Sequence, residues 1–267
     1  MELIRNRIVV KVGTSTLTTE TGKDNLRAFE SLARTLSDIH NHDYEVILVS
    51  SGAIAVGSNR LNMHSKPDTL QLKQAAAAVG QCSLMFLYDK FFGEYGKIAA
   101  QILLNAEDIE NDEKKENLVN TFDTLLEMGV IPIVNENDSV SYTEIESSER
   151  LFGDNDMLSA VVAVLCRASK LIILSDIDGL YVQDPRLHPK AKLIPVIEHI
   201  DNGIYSLAGG AGSRRGTGGM RTKLQAAELA TSQGIDTIIS NGSRPATLYD
   251  IVRGQHIGTL FRAQQCL

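Results

Sequence analysis

The sequence predicts an α/β fold, a largely parallel sheet covered by helices on both faces. Three observations carry the prediction. Apolar runs of strand length alternate with helical apolar periodicity along the chain, the pattern of successive β-α-β units. The first run, Ile8-Val9-Val10-Lys11-Val12, is nearly continuous, as in a strand buried on both faces. Several of the runs stop at a polar or glycine-containing cluster, and open α/β sheets bind ligands at those strand ends.

Taken in order, residues 8–12 form the first strand, closed by Gly13-Thr14-Ser15. A lysine inside such a run is costly unless its ammonium reaches water or a partner. Lys11 is therefore either a snorkelling side chain at a strand end or a cation delivered to the ligand rim. Leu26, Phe29, Leu32, Ala33, Leu36 and Ile39 share one helix face. Residues 46–49 are the second strand, ending in Ser50-Ser51-Gly52-Ala53-Ile54-Ala55-Val56-Gly57. That segment reads as a plain turn or as hydroxyl and amide donors for an anion. Residues 70–88 carry a long helical pattern whose alanines at 75–78 suit close packing, in the core or at a subunit interface.

Residues 98–104 are the third strand, and Leu118, Phe122, Leu125 and Leu126 mark the next helix. Residues 130–134 follow as a strand in which Pro132 predicts a ladder incomplete on one side. It ends in Asn135-Glu136-Asn137-Asp138, and residues 142–150 read as an exposed loop. Gly153-Asp154-Asn155-Asp156 then opens a helix running to Leu165. Helix capping explains one of those three polar residues and leaves two over. Residues 170–174 are the fifth strand, ending in Ser175-Asp176; Asp178-Gly179 makes a tight turn and Asp184-Pro185-Arg186 lies in a turn-rich segment. After a glycine-rich stretch come a helix, a strand at 237–239, a short helix at 248–252 and a final strand at 259–261. With no internal repeat or long linker, residues 1–267 read as a single domain with two lobes, about 1–175 and 176–267.

The glycine-rich stretch, residues 208–223, alternates glycines with Arg214, Arg215, Arg221 and Lys223. It is not a P-loop, because Lys223 follows Thr222, and it lacks the dinucleotide G-x-G-x-x-G spacing. Thr222 and Gln225 fit a capping box, which predicts a helix beginning near Thr222. Lysine in a first helical turn opposes the helix dipole. A bound anion would reverse that penalty, since amides and cations would converge on it. A mobile, solvated loop is the alternative.

Composition narrows the function classes. The 267 residues carry a net charge of −7 with 43% hydrophobic and 22% charged residues, ordinary for a globular protein. The acidic balance opposes broad binding to nucleic acid or anionic membrane but allows a local basic pocket. Cys82, Cys166 and Cys266 are widely spaced and lack metal-ligand pairing, as expected of buried or incidental thiols in a reducing compartment. No signal-peptide core is present, and no apolar run reaches the ~20 residues of a membrane helix. A cytoplasmic location is expected.

The clusters at 11–15, 51–52, 135–138 and 175–176 all follow strands, so in a parallel sheet they line one rim. The six histidines show no metal-ligand spacing, and no Ser-His-Asp or Cys-His set accompanies the clusters. Cations, glycine amides and nearby carboxylates suit phosphoryl transfer, which needs positioning and charge neutralisation. Lys11 and Lys223 would sit on the migrating phosphoryl oxygens, with Asp156 between them. Mg²⁺ is expected with nucleotide phosphates, held largely by phosphate oxygens and water, so no protein metal ligand is assigned.

Six motifs in order, Lys11-Val-Gly-Thr-Ser15, Ser51-Gly-Ala-Ile-Ala55, Asn135-Glu-Asn-Asp138, Gly153-Asp-Asn-Asp156, Ser175-Asp176 with Gly179-Leu-Tyr181, and Gly216-Thr-Gly-Gly-Met-Arg-Thr-Lys223, resemble those of the glutamate 5-kinases. That family lies in the amino-acid kinase superfamily, and the resemblance spans almost the whole chain. It implies an eight-stranded, mainly parallel three-layer α/β/α sandwich. It also implies ATP-dependent phosphorylation of the L-glutamate γ-carboxylate, the first step of proline biosynthesis, by direct in-line transfer without a phosphoenzyme. By matching positions, Lys11 and Lys223 are the transition-state cations and Asp156 their organiser. Ser51, Gly52, Asn135, Asp138 and Asn155 are implied to contact glutamate. Lys11, Ser175, Asp176, Thr217, Gly218, Gly219, Met220, Arg221, Thr222 and Lys223 form the implied ATP side.

The resemblance further implies proline as a feedback inhibitor, a homo-oligomer (dimer or tetramer), and glutamyl phosphate reductase as a partner, with no nucleic acid and no membrane. Two departures stand out. Many members carry a C-terminal PUA domain, for which no segment is expected here, and residues 139–152 are expected to form a longer loop bordering the glutamate pocket. Two other readings share these motifs. One is a superfamily kinase acting on aspartate, N-acetylglutamate, carbamate or a nucleoside monophosphate. The other is a non-catalytic amino-acid-binding regulator.

Overall fold

The alternation of β1 (Ile4–Val12) explains the layers of the molecule. Ile8, Val10 and Val12 point into one core, and Val9 points into the other, as the two-residue period of a strand dictates. The computed structural model describes residues 2–19, 21–63, 65–140, 154–208 and 219–264. After β1 the chain runs through α1 (Thr14–Leu17), α2 (Leu26–Asn41), β2 (Glu45–Ser50), α3 (Ala53–Arg60), α4 (Leu70–Gly93) and β3 (Ala99–Leu104). It continues through α5 (Ala106–Glu110), α6 (Asp112–Glu127), β4 (Ile131–Glu136), α7 (Asn155–Leu165) and β5 (Ala168–Ser175). The last elements are β6 (Val196–Ile197), α8 (Asn202–Leu207), α9 (Met220–Ser232), β7 (Asp236–Asn241), α10 (Thr247–Val252) and β8 (Thr259–Phe261).

Among the described residues the strands form one eight-stranded sheet in the order β3-β4-β2-β1-β5-β7-β8-β6. Every pairing is parallel except β7 with β8, so the predicted sheet is borne out. Phe29, Leu36, Val56, Leu84 and Leu248 bring α2, α3, α4 and α10 onto one face; Phe122, Leu158 and Leu224 bring α6, α7 and α9 onto the other. From β1 the chain moves outward to β2, whereas from β5 it moves the opposite way to β7. The ends of β1 and β5 therefore flank a topological switch point, where open α/β sheets place ligands.

Pro132 lies inside the sheet. It pairs with Ala100 on the β3 side, while the β2 pairing covers only Leu48 with Ile133 and Val49 with Val134. The ladder is short on one side, as the missing amide predicts. The segment after Ser50, read as a plain turn or as donors for an anion, is the start of α3, entered through Gly52 at φ +104°, a conformation glycine adopts without penalty. The capping box expected at Thr222 does not form. The helix begins at Met220 behind an N-cap Gly219, and Thr222 Oγ1 turns back to donate to Gly219 O at 3.0 Å. The short elements α1, α5, β6 and α8 were not expected, because two to six residues hold too little periodicity to read. Residues 142–150 and most of the glycine-rich stretch lie outside the described residues.

Candidate active site

The site is built around Asp156. Helix α7 starts behind Asp154, whose Oδ1 accepts the amides of Asp156 and Met157 at 3.0 and 3.1 Å. Asp154 is thus the cap that one of the three polar residues had to be, and its neighbours are released for other work. Asp156 Oδ1 lies 2.6 Å from Lys11 Nζ and Oδ2 lies 2.9 Å from Lys223 Nζ. Thr222 Oγ1 donates to Oδ2 at 3.3 Å. Lys11 and Lys223 are each 6% exposed and Asp156 1%.

Local rules explain how the three meet. Lys11 shares the face of β1 that carries Val9, and α7 and α9 pack on that face. The snorkelling alternative for Lys11 is thereby excluded, because its ammonium is buried against a carboxylate. Burial alone would raise the Asp156 pKa, but the two ammonium groups, Lys11 first, outweigh it and hold the carboxyl at about 2. Two cations against one anion make this centre suited to receiving a further negative group. A β-carbon on Gly13 would lie 3.6 Å from Lys11 Nζ, so the loop after β1 skirts the same ammonium.

On one side stand the residues predicted to contact a small acid. Asn155 donates through Nδ2 to Ser50 O and to Asn135 Oδ1, both at 2.8 Å. The structure therefore brings Asn155 and Asn135 together beside the Ser51-Gly52 turn. Ser51 is tied to β1 by its amide, which donates to Val12 O at 3.1 Å. Gly52 caps α3 without a capping side chain, leaving first-turn amides at the positive end of the helix. Asp138 is half-buried just beyond β4.

The other side is a cavity of about 320 Å³, lined by Ser175, Asp176, Tyr181, Gly219, Met220 and Lys223 among others. Ser175 is buried and donates to the exposed Asp176 at 3.1 Å. Gly219 caps α9, again without a capping side chain. Arg221 is exposed, on the side of α9 turned away from buried Lys223. Thr217 and Gly218 lie outside the described residues.

Sequence reasoning missed several residues here. Asn241 lines the cavity and donates to Asp178 Oδ1 at 2.8 Å, while Tyr181 donates to Oδ2 at 2.8 Å. Asn241 ends β7, so the rule that exposed the other strand-end clusters could have found it. Gln81 and Tyr88 reach the acid side from α4, to Asn135 at 2.9 Å and to Ser50 at 2.7 Å. Both sit in mid-helix, with no local signal to mark them.

The amino acid kinase family model matches residues 6–241. A glutamate 5-kinase of Clostridium perfringens is 57% identical over 259 residues, covering 97% of this chain and 96% of that protein. A glutamate 5-kinase of Listeria monocytogenes serovar 1/2a is 49% identical over 259 residues, covering 97% and 94%. Among solved structures, a carbamate kinase from Giardia lamblia bound to AMP-PNP superposes with a TM-score of 0.68 at 17% identity, over 97% of this chain and 99% of that one. At that identity the likeness speaks for the shared fold. The chain belongs to the amino acid kinase family and, within it, to the glutamate 5-kinases.

Proposed function

We propose that the chain phosphorylates the γ-carboxylate of L-glutamate from ATP, making L-glutamyl 5-phosphate for proline biosynthesis. The observation that carries this reading is the buried Lys11–Asp156–Lys223 centre, lying between a polar rim and a cavity at the switch point of the sheet. In this reading the cavity beside Ser175 takes the nucleotide, and Thr217 through Lys223 flank its phosphates. Ser51, Gly52, Asn135, Asp138 and Asn155 hold the glutamate. A γ-carboxylate oxygen attacks the terminal phosphorus in line, and the bond to the bridging oxygen breaks to release ADP. Lys11 and Lys223 neutralise charge on the phosphoryl oxygens as it passes, the contribution this chemistry needs most.

Among the described residues no group of three or more His, Cys, Asp or Glu is placed to hold a metal ion, and Asp156 is already engaged by two lysines. In this reading Mg²⁺ would come with the nucleotide phosphates. The lobe division near residue 175 would separate the acid-binding and nucleotide-binding halves. A homo-oligomer is supported by Leu72, Val79 and Phe86, spaced seven apart on α4 and 44%, 37% and 63% exposed; sedimentation velocity measures it, and a monomer at all concentrations would exclude it. Among the described residues no helix is long and apolar enough to cross a membrane. A cytoplasmic location, proline inhibition and a reductase partner accompany the reading.

The test is trapping of the acyl phosphate with hydroxylamine. Hydroxamate should form only with ATP, Mg²⁺ and glutamate together. Folded protein giving no hydroxamate, or preferring aspartate, N-acetylglutamate or carbamate in a substrate panel, would overturn the assignment.

A further inference from the structure

We infer that Gln81 is a positioning residue for the acid-binding rim, holding the side-chain amide of Asn135 and through it that of Asn155. The inference rests on the reading of Asn135 and Asn155 as glutamate contacts and extends it to a residue on a different helix.

Backbone groups fix the polarity of this chain of amides. Asn135 Oδ1 accepts the backbone N–H of Glu136 at 2.9 Å, and a backbone amide can only donate. The other atom of the Asn135 amide is therefore Nδ2, and the Gln81 atom it meets at 2.9 Å is the carbonyl Oε1. At the far end Asn155 faces the carbonyl of Ser50 at 2.8 Å, which can only accept, so the Asn155 atom there is Nδ2. The second Asn155 N–H goes to Asn135 Oδ1 at 2.8 Å.

This polarity decides what the rim can offer. Both N–H groups of Asn155 are committed, so its free capacity lies on Oδ1, an acceptor suited to a substrate ammonium. Asn135 Oδ1 takes two hydrogen bonds, so the capacity it has left is one N–H, a donor suited to a substrate carboxylate. Gln81 supplies the point that holds Asn135 from the side opposite Asn155.

Gln81 stands on a firm base. The residue before it, Gly80, packs backbone to backbone on α3, where an added β-carbon would lie 1.8 Å from Ala53 O. Ala53 begins α3 directly after Gly52 of the rim. The long glutamine side chain therefore projects from a helix locked to the segment it serves.

A kinetic double-mutant cycle tests this. Gln81→Met, Asn135→Ala and the double variant are compared for the KM of glutamate, the KM of ATP and kcat, with thermal unfolding as a folding check. Gln81→Met should raise the glutamate KM about three- to tenfold, the scale of one hydrogen bond, leaving the ATP KM and kcat within about threefold. The double variant should be no worse than Asn135→Ala, because the two residues act in series. Gln81→Ser serves if the methionine variant does not fold. An unchanged glutamate KM in Asn135→Ala would overturn the substrate reading and the inference with it. If Asn135→Ala raises that KM while Gln81→Met leaves it alone, or the two effects add, the inference alone falls.

Discussion

Lys11 and Lys223, from the first strand and the last long helix, are held on opposite oxygens of one carboxylate, at 2.6 and 2.9 Å. Two buried ammonium groups would repel each other without Asp156 between them. With it both are held in place by the fold itself, and in the proposed role no reorganisation would be needed as charge develops on a phosphoryl group.

The first prediction concerns Lys223. Lys223→Ala leaves a single ammonium on Asp156 and, in the proposed role, removes one cation from the transferring group. Loss of one preorganised charge partner costs about 10²–10³ in kcat, while the glutamate KM should stay within a few-fold. Steady-state kinetics with both substrates varied will show the split. Turnover within a few-fold of wild type would remove Lys223 from the chemistry.

The second prediction concerns acid. The folded-state pKa of Asp156 is depressed from 3.8 to about 2. Its ion pairs therefore stabilise the protein fully above about pH 4, and the stabilisation fades as pH falls toward 2. The amount is on the order of 2–3 kcal/mol for this buried group. Urea unfolding from pH 5 to 2 should show the decline, and Asp156→Asn should lose that component of the pH dependence. A variant as acid-sensitive as wild type over that interval would place the loss in other carboxylates.

The third prediction concerns the seam between α3 and α4. A β-carbon on Gly80 would stand 1.8 Å from Ala53 O, and one on Gly57 would stand 1.7 Å from Ala76 O. Neither neighbour is a side chain that can swing away. Gly80→Ala should therefore cost about 3 kcal/mol, the upper part of the range for overpacking, and lower Tm by roughly 6–12 °C. A Tm within about 2 °C of wild type would mean the helices separate freely.

Legibility in the sequence followed the range of the interactions. All the strands but the two-residue β6 were readable because a sheet covered on both faces demands apolar runs, and Lys11 stood out as an exception within one. Asp154, Asn155 and Asp156 were readable as an excess over what a helix cap needs. The seam was half-legible: the alanines at 75–78 announced close packing, but its partner α3 was not read as a helix, because one glycine at φ +104° separates it from the strand. The misplaced start of α9 has a similar cause. Thr222 has the composition of a cap, but its hydroxyl is instead shared between Gly219 O at 3.0 Å and Asp156 Oδ2 at 3.3 Å, the latter 66 residues away in sequence. Gln81 and Tyr88 were invisible, since a polar residue on a long helix acquires a role only when the fold brings a distant strand to it.

The last prediction separates substrate binding from chemistry on the acid side. Asp138 follows β4 on the rim that carries Asn135. A carboxylate facing glutamate, which carries two carboxylates of its own, would repel it unless it met the α-ammonium. Asp138→Ala should then forfeit a charge-assisted hydrogen bond and raise the glutamate KM roughly ten- to a hundredfold, with kcat within a few-fold. Asp138→Asn, which keeps an acceptor but not the charge, should fall between. An acceptor lacking the α-amino group should be indifferent to both substitutions. If the glutamate KM is unchanged in Asp138→Ala, or if the deaminated acid responds as strongly as glutamate, Asp138 does not read the ammonium.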